Sequence, residues 1–98
     1  MPSVADLVDE VALRRLGPVR ALDRGRRAAD AGAVELADFG PLVVRARVGE
    51  ERHEVVLRST EEGLLWSCTC PEGKAGALCE HAAAAAIETW RRSPRRRG

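Results

Sequence analysis

The sequence predicts an α+β domain: N-terminal helices, an antiparallel β meander, and a C-terminal helix. Three observations carry this. Apolar residues recur at helical spacing through the first thirty or so positions. Between 42 and 58 the apolar period becomes two, as in a half-buried strand. An alanine run at 82–86 then restores helix, alanine being the best helix former. At 98 residues the chain is read as one domain over 1–93, divided into a helical part (1–31), a meander (33–67) and a closing segment (68–92). Residues 94–98 are read as a basic, flexible tail.

The first helix is expected over 1–16. Ser3 can cap it, with Asp6 three residues on. Leu7 and Val11, with Val4, Leu13 and Leu16, make a broad apolar face. Gly17-Pro18 ends this helix and opens a second, Val19–Ala31, because Gly suits a helix exit and Pro a first turn. Gly25 inside it costs up to about 1 kcal/mol.

Ala33–Ala37 is expected to be a short strand. From Leu42 to Val48 the apolar set Leu42, Val44, Ala46 and Val48 alternates with Val43, Arg45 and Arg47. Gly49–Arg52 is a turn, and His53, Val55 and Leu57 alternate with Glu54, Val56 and Arg58. Pairing Gly49 with Arg52 sets Ala46 against Val55, Val44 against Leu57 and Arg47 against Glu54. A slip of one residue would expose the whole apolar set. A polar turn at Ser59–Gly63 leads to a strand at Leu64–Ser67. Trp66 shares parity with Leu64 and Cys68, which places it in the core, and Trp90 falls on the Ala83–Ile87 face of the last helix. That helix is predicted from about Glu80 to Arg92. Glu88 and Arg92 stand at ion-pairing separation, and Ser93-Pro94 ends the element.

A chain this short, with three aromatics and many alanines, builds a marginal core and needs further support. All three cysteines and one of the two histidines fall at 68–81: Cys68-Thr69-Cys70, a turn-rich loop, then Cys79-Glu80-His81. Three thiolates and an imidazole complete a tetrahedral zinc set. In extended chain Cys68 and Cys70 point to one side. On a regular helix Cys79 and His81 would diverge, so Cys79 must stand just before the helix and His81 in its first turn. Helix-start N–H groups stabilise thiolates. The bland alternative is three buried thiols and a capping histidine. A thiol–disulfide enzyme would want Cys-x-x-Cys, and Cys68-Thr69-Cys70 is one residue short. A catalytic zinc keeps a position open, whereas four protein ligands close the shell. The expectation is one structural Zn²⁺, no enzyme and no small-molecule substrate. Zinc finger peptides bind zinc with about 10–16 kcal/mol, against a net stability of about 5–15 kcal/mol for a whole domain. Zinc can therefore decide whether the C-terminal half folds.

The Cys-x-Cys…Cys-x-His order resembles the SWIM zinc finger family, carried here by Cys68-Thr69-Cys70-Pro71 and Cys79-Glu80-His81. Upstream, Arg24-Gly25, Gly32-Ala33-Val34 and the 42–58 hairpin are similar to features of prokaryotic members, so the likeness spans about residues 10–91. Members often carry tyrosines near positions 28 and 53; this chain has none, and His53 is read as a packing residue. The resemblance implies a ββα-like finger holding one zinc through Cys68, Cys70, Cys79 and His81. It also implies a module that contacts proteins or DNA. Relatives beside helicase-like ATPases suggest such an ATPase, or another DNA-processing protein, as partner.

Sixteen basic against fifteen acidic residues give a formal charge of +1, unlike a strongly basic nucleic-acid module. The first reading is therefore a protein-interaction module. The alternative is a DNA or other nucleic-acid binder using Arg91, Arg92, Arg95, Arg96 and Arg97. Arg45, Arg47 and Arg58 on the hairpin and the arginines of the N-terminal helices add to that case, unless Arg47 pairs with Glu54 and the rest is a solvated face. No apolar run reaches membrane-spanning length, no leader is read, and unpaired cysteines suit a reducing compartment; a cytoplasmic, membrane-free protein is expected.

Overall fold

The structure is a computed structural model that describes residues 3–93. It has helices α1 (Val4–Leu7), α2 (Glu10–Leu16) and α3 (Val19–Asp30), then strands β1 (Val34–Phe39), β2 (Val43–Val48), β3 (His53–Thr60) and β4 (Gly63–Cys68). A single turn, α4 (Pro71–Lys74), precedes the long α5 (Glu80–Arg92). The strands form one antiparallel meander in the order β1-β2-β3-β4. The α+β class and the meander are as the periodicity predicts.

The hairpin register follows from the apolar alternation. Ala46 stands opposite Val55, Val44 opposite Leu57 and Arg47 opposite Glu54. Val44, Ala46, Val48, Val55 and Leu57 are all buried on the inner face. Against them lies α5, whose five alanines, Ala82–Ala86, are fully buried. Their other side meets α3. A Cβ placed on Gly25 would lie 2.7 Å from the Ala84 backbone nitrogen and 2.8 Å from the Ala83 Cβ. Gly25 therefore sets how closely α3 and α5 approach, which offsets its intrinsic helix cost.

Several expectations are corrected. The 1–16 helix is two helices. Asp9 breaks it by capping α2, its Oδ1 accepting the Ala12 N–H at 2.8 Å. The Ser3–Asp6 capping box stands at the start of α1 as expected. The break turns Val4, Val8 and Leu13 inward and leaves Val11 59% exposed. α3 starts at Val19 as expected, with Pro18 as its N-cap, but ends at Asp30, and Val19 is exposed. β1 extends to Phe39 through an irregularity between Leu36 and Asp38, and Leu42 lies outside β2. β3 and β4 are longer than predicted, leaving only Glu61 and Glu62 between them. Arg47 pairs with Glu35 on β1 at 3.7 Å, not with Glu54, because β1 supplies a second neighbouring strand. Trp66 and Trp90 pack on the core but are only half-buried.

Candidate metal centre

β4 delivers Cys68 at its end, two residues before the extended Cys70, so both sulfurs reach one side. Cys70 caps α4, its Sγ accepting the Gly73 N–H at 3.3 Å. The loop expected over 71–78 therefore contains a helical turn. Leu78, buried, anchors its far end. Cys79 is the N-cap of α5, its Sγ accepting the Ala82 N–H at 3.4 Å, and His81 lies in the first turn. The Sγ atoms of Cys68, Cys70 and Cys79 and a ring nitrogen of His81 all lie within 4.8 Å of one another. A tetrahedral ion with Zn–S of about 2.3 Å separates its sulfurs by about 3.8 Å. A modest contraction closes the set around one ion.

Two observations fit zinc. The donors are soft thiolates with one imidazole, the chemistry of a closed structural site. And His81 Nδ1 is buried without a hydrogen-bond partner. An orphaned buried nitrogen is costly, and a metal ion bound there would satisfy it.

The thiols respond unequally to the site. Burial pushes Cys68 up to about 12, against the opposing N–H of Cys70. Burial also raises Cys79, partly countered by the Ala82 N–H. At Cys70 burial raises the thiol, but the Gly73 N–H, the neighbouring thiols and the Glu72 N–H together outweigh it, and the net shift is downward. Cys70 thus ionises first. Burial, then the nearby His53, lowers His81, favouring the neutral imidazole a metal requires.

His53 stands beside this set and outside it. Its ring lies on that of His81, with centroids 4.4 Å apart. Its Nδ1 faces the Thr69 Oγ1 at 3.4 Å and its Nε2 the Glu51 carboxylate at 3.2 Å. This is the packing role expected of it. Thr69 was not singled out by sequence. It extends the ladder beyond β4: its N–H donates to the Glu54 carbonyl at 3.2 Å, and its Oγ1 accepts the Glu54 N–H at 3.1 Å. That holds Cys68 and Cys70 in extended backbone. Gly73 was also missed. A Cβ there would lie 2.5 Å from the Cys68 Cβ and 2.8 Å from the Cys68 carbonyl oxygen. Only glycine lets α4 close on Cys68.

Of the arginines predicted to meet nucleic acid, Arg91 pairs with Asp30 at 2.7 Å and Arg92 with Glu88 at 2.6 Å. Arg95, Arg96 and Arg97, with the rest of the 94–98 tail, lie outside the described residues. On the outer face of the sheet Arg45 pairs with Asp38 at 3.9 Å. Among the described residues no helix is long and apolar enough to cross a membrane.

Compared with known proteins, residues 53–89 match the SWIM zinc finger family model. No curated protein and no solved structure matches the chain. The match runs from the first residue of β3 to Thr89 of α5 and takes in the whole Cys3His cluster. The segment 53–89, built on a β3–β4 hairpin and closed by α5, is a SWIM zinc finger whose Cys3His cluster suits a single zinc ion.

Proposed function

We propose that this chain is a non-catalytic, zinc-stabilised protein-interaction module. The observation that carries the reading is the closed ligand shell. Four protein donors, three of them buried, surround the metal position, so a bound ion would hold β4, α4 and α5 together instead of presenting a Lewis acid to a substrate. The formal charge of +1 and the ion pairs of Arg45, Arg47, Arg91 and Arg92 favour a protein over a phosphate backbone as partner. A partner among DNA-processing proteins, such as a helicase-like ATPase, fits the company kept by similar fingers.

Fluorescence anisotropy with zinc-loaded protein and single- and double-stranded DNA tests the reading. Binding confined to low salt, falling steeply as salt rises, is expected of incidental arginine–phosphate contact. DNA binding that persists at about 0.15 M salt would replace this reading with a nucleic-acid one.

A further inference from the structure

β4 is the last strand of the meander, and one side of its backbone faces no other strand. Which groups lie on that side follows from the ladder. The Ser59 N–H donates to the Leu42 carbonyl, and the Thr69 N–H to the Glu54 carbonyl. In an antiparallel sheet a residue bonds to one neighbour or the other at alternate positions. Ser59, Leu57 and Val55 therefore bond toward β2, while Arg58 and Val56 bond toward β4, opposite Leu65 and Ser67. The alternate β4 residues, Leu64 and Trp66, turn their N–H and C=O groups to the open side. Among the described residues no hydrogen-bond partner meets them there. At Cys68 the opening ends, because α4 packs against it: a Cβ on Gly73 would lie 2.8 Å from the Cys68 carbonyl oxygen.

The two edges of the sheet are built differently. β1 is irregular between Leu36 and Asp38 and carries Glu35 and Asp38, devices that discourage strand addition. β4 reads Gly-Leu-Leu-Trp-Ser-Cys, with no charge, no proline and an unbroken register. Leu65 is 56% exposed on the outer face, and Leu64 and Trp66 are half-buried on the inner face. A strand that covers this edge must therefore be apolar at three successive positions, on both faces. β4 itself has that pattern, and its bonding groups are their own complement. With Leu65 of two antiparallel copies on a two-fold axis, Leu64 of each copy stands opposite Trp66 of the other. Every outward N–H then finds an outward C=O. Leu65 meets Leu65 on the outer face as a close, non-hydrogen-bonded pair. A single charge at this position would oppose the contact, and the residue there is leucine.

We infer that the chain self-associates through β4, two copies joining their edges antiparallel into one continuous sheet. The contact is short and falls below the roughly 1,200 Å² of a standard interface, so the dimer forms and dissociates with concentration. The inference goes beyond the partner reading and does not depend on it.

Sedimentation of the zinc-loaded full-length chain, from micromolar to near-millimolar concentration, provides the test. The apparent mass should climb from 10.6 kDa toward twice that value. Over the same range the Leu64 and Trp66 amides should become protected from hydrogen exchange, while those of Leu65 and Ser67, already bonded to β3, change little. Leu65→Lys sets two ammonium groups face to face and should weaken association at least about tenfold, with unchanged melting in dilute solution. Val11→Lys, at an equally exposed apolar position on α2, should leave association intact. Leu65→Cys, oxidised by glutathione disulfide with zinc in place, should form a cross-linked dimer. The Cα atoms of such a pair stand about 4.5 Å apart, within reach of a disulfide. Ser67→Cys, which would face Gly63 of the other copy, should not cross-link. A chain that stays monomeric throughout overturns the inference. So does self-association that survives Leu65→Lys or that Val11→Lys abolishes, because another surface would then be in contact. Equal cross-linking of Ser67→Cys and Leu65→Cys would overturn the pairing. A monomeric chain leaves the interaction-module reading standing, and salt-resistant DNA binding removes that reading without touching β4.

Discussion

Gly73→Ala probes how the loop and the metal are joined. The new Cβ would lie 2.5 Å from the Cys68 Cβ and 2.8 Å from its carbonyl oxygen, against ordinary carbon contacts of about 3.5–4.0 Å. Neither atom is the end of a flexible side chain. The α4 turn must therefore retreat by about 1 Å from Cys68, carrying Cys70, its own N-cap, with it. Metal–ligand distances tolerate only about 0.2 Å, so the strain falls on the zinc site. Overpacking of this kind costs about 1–3 kcal/mol, which as lost metal affinity is roughly five- to 150-fold. Competition for zinc against a chromophoric chelator measures it directly. Lys74→Ala, one residue on and exposed, serves as the control and should bind zinc as wild type does. A Gly73→Ala protein with wild-type zinc affinity would refute the close approach of α4 and Cys68.

Gly25→Ala should instead weaken the helix layer. Its Cβ meets the Ala84 nitrogen at 2.7 Å, so urea unfolding should show a loss of about 1–3 kcal/mol while zinc affinity stays unchanged. Removal of zinc by a strong chelator, or Cys79→Ser, should lower the melting temperature sharply and unfold the segment from β4 into α5; unchanged circular dichroism and melting in metal-free protein would contradict this. Zinc affinity should fall as pH falls. Cys68, pushed up to about 12, and Cys79, also raised by burial, hold their protons near neutrality, so binding must expel at least these two, and calorimetry in buffers of differing ionisation enthalpy counts them.

What the sequence discloses depends on the range of the interaction. The β2–β3 register is legible because period two, a turn at Gly49 and a buried face leave only one pairing that hides Val44, Ala46, Val55 and Leu57. The ligand set is equally legible, because backbone geometry alone places Cys79 before a helix and His81 in its first turn. Features that need a third element are not. Arg47 turns to Glu35 only because β1 lies on the far side of β2. The His53–His81 ring contact joins the start of β3 to the start of α5. The role of Gly73 is visible only once α4 is laid against Cys68. The break at Val8–Asp9 did have a local signal, since Asp9 is a good N-cap residue, but the apolar spacing across it read as continuous helix.

The buried middle of α5 has a mechanical consequence. Five consecutive alanines give it low ridges, seated against α3 at the notch left by Gly25 but shallow against the sheet. Shape in the middle resists separation of the layers but resists axial rotation and sliding only weakly. Those two freedoms are limited at the ends: by Cys79 and His81 where the metal would sit, and about 18 Å further along by Ile87 and Trp90 packed on the core, beside the Arg91–Asp30 pair. The helix works like a plain shaft keyed at both tips. Its alignment in the domain is written in a few terminal side chains, while the residues between them need only be small.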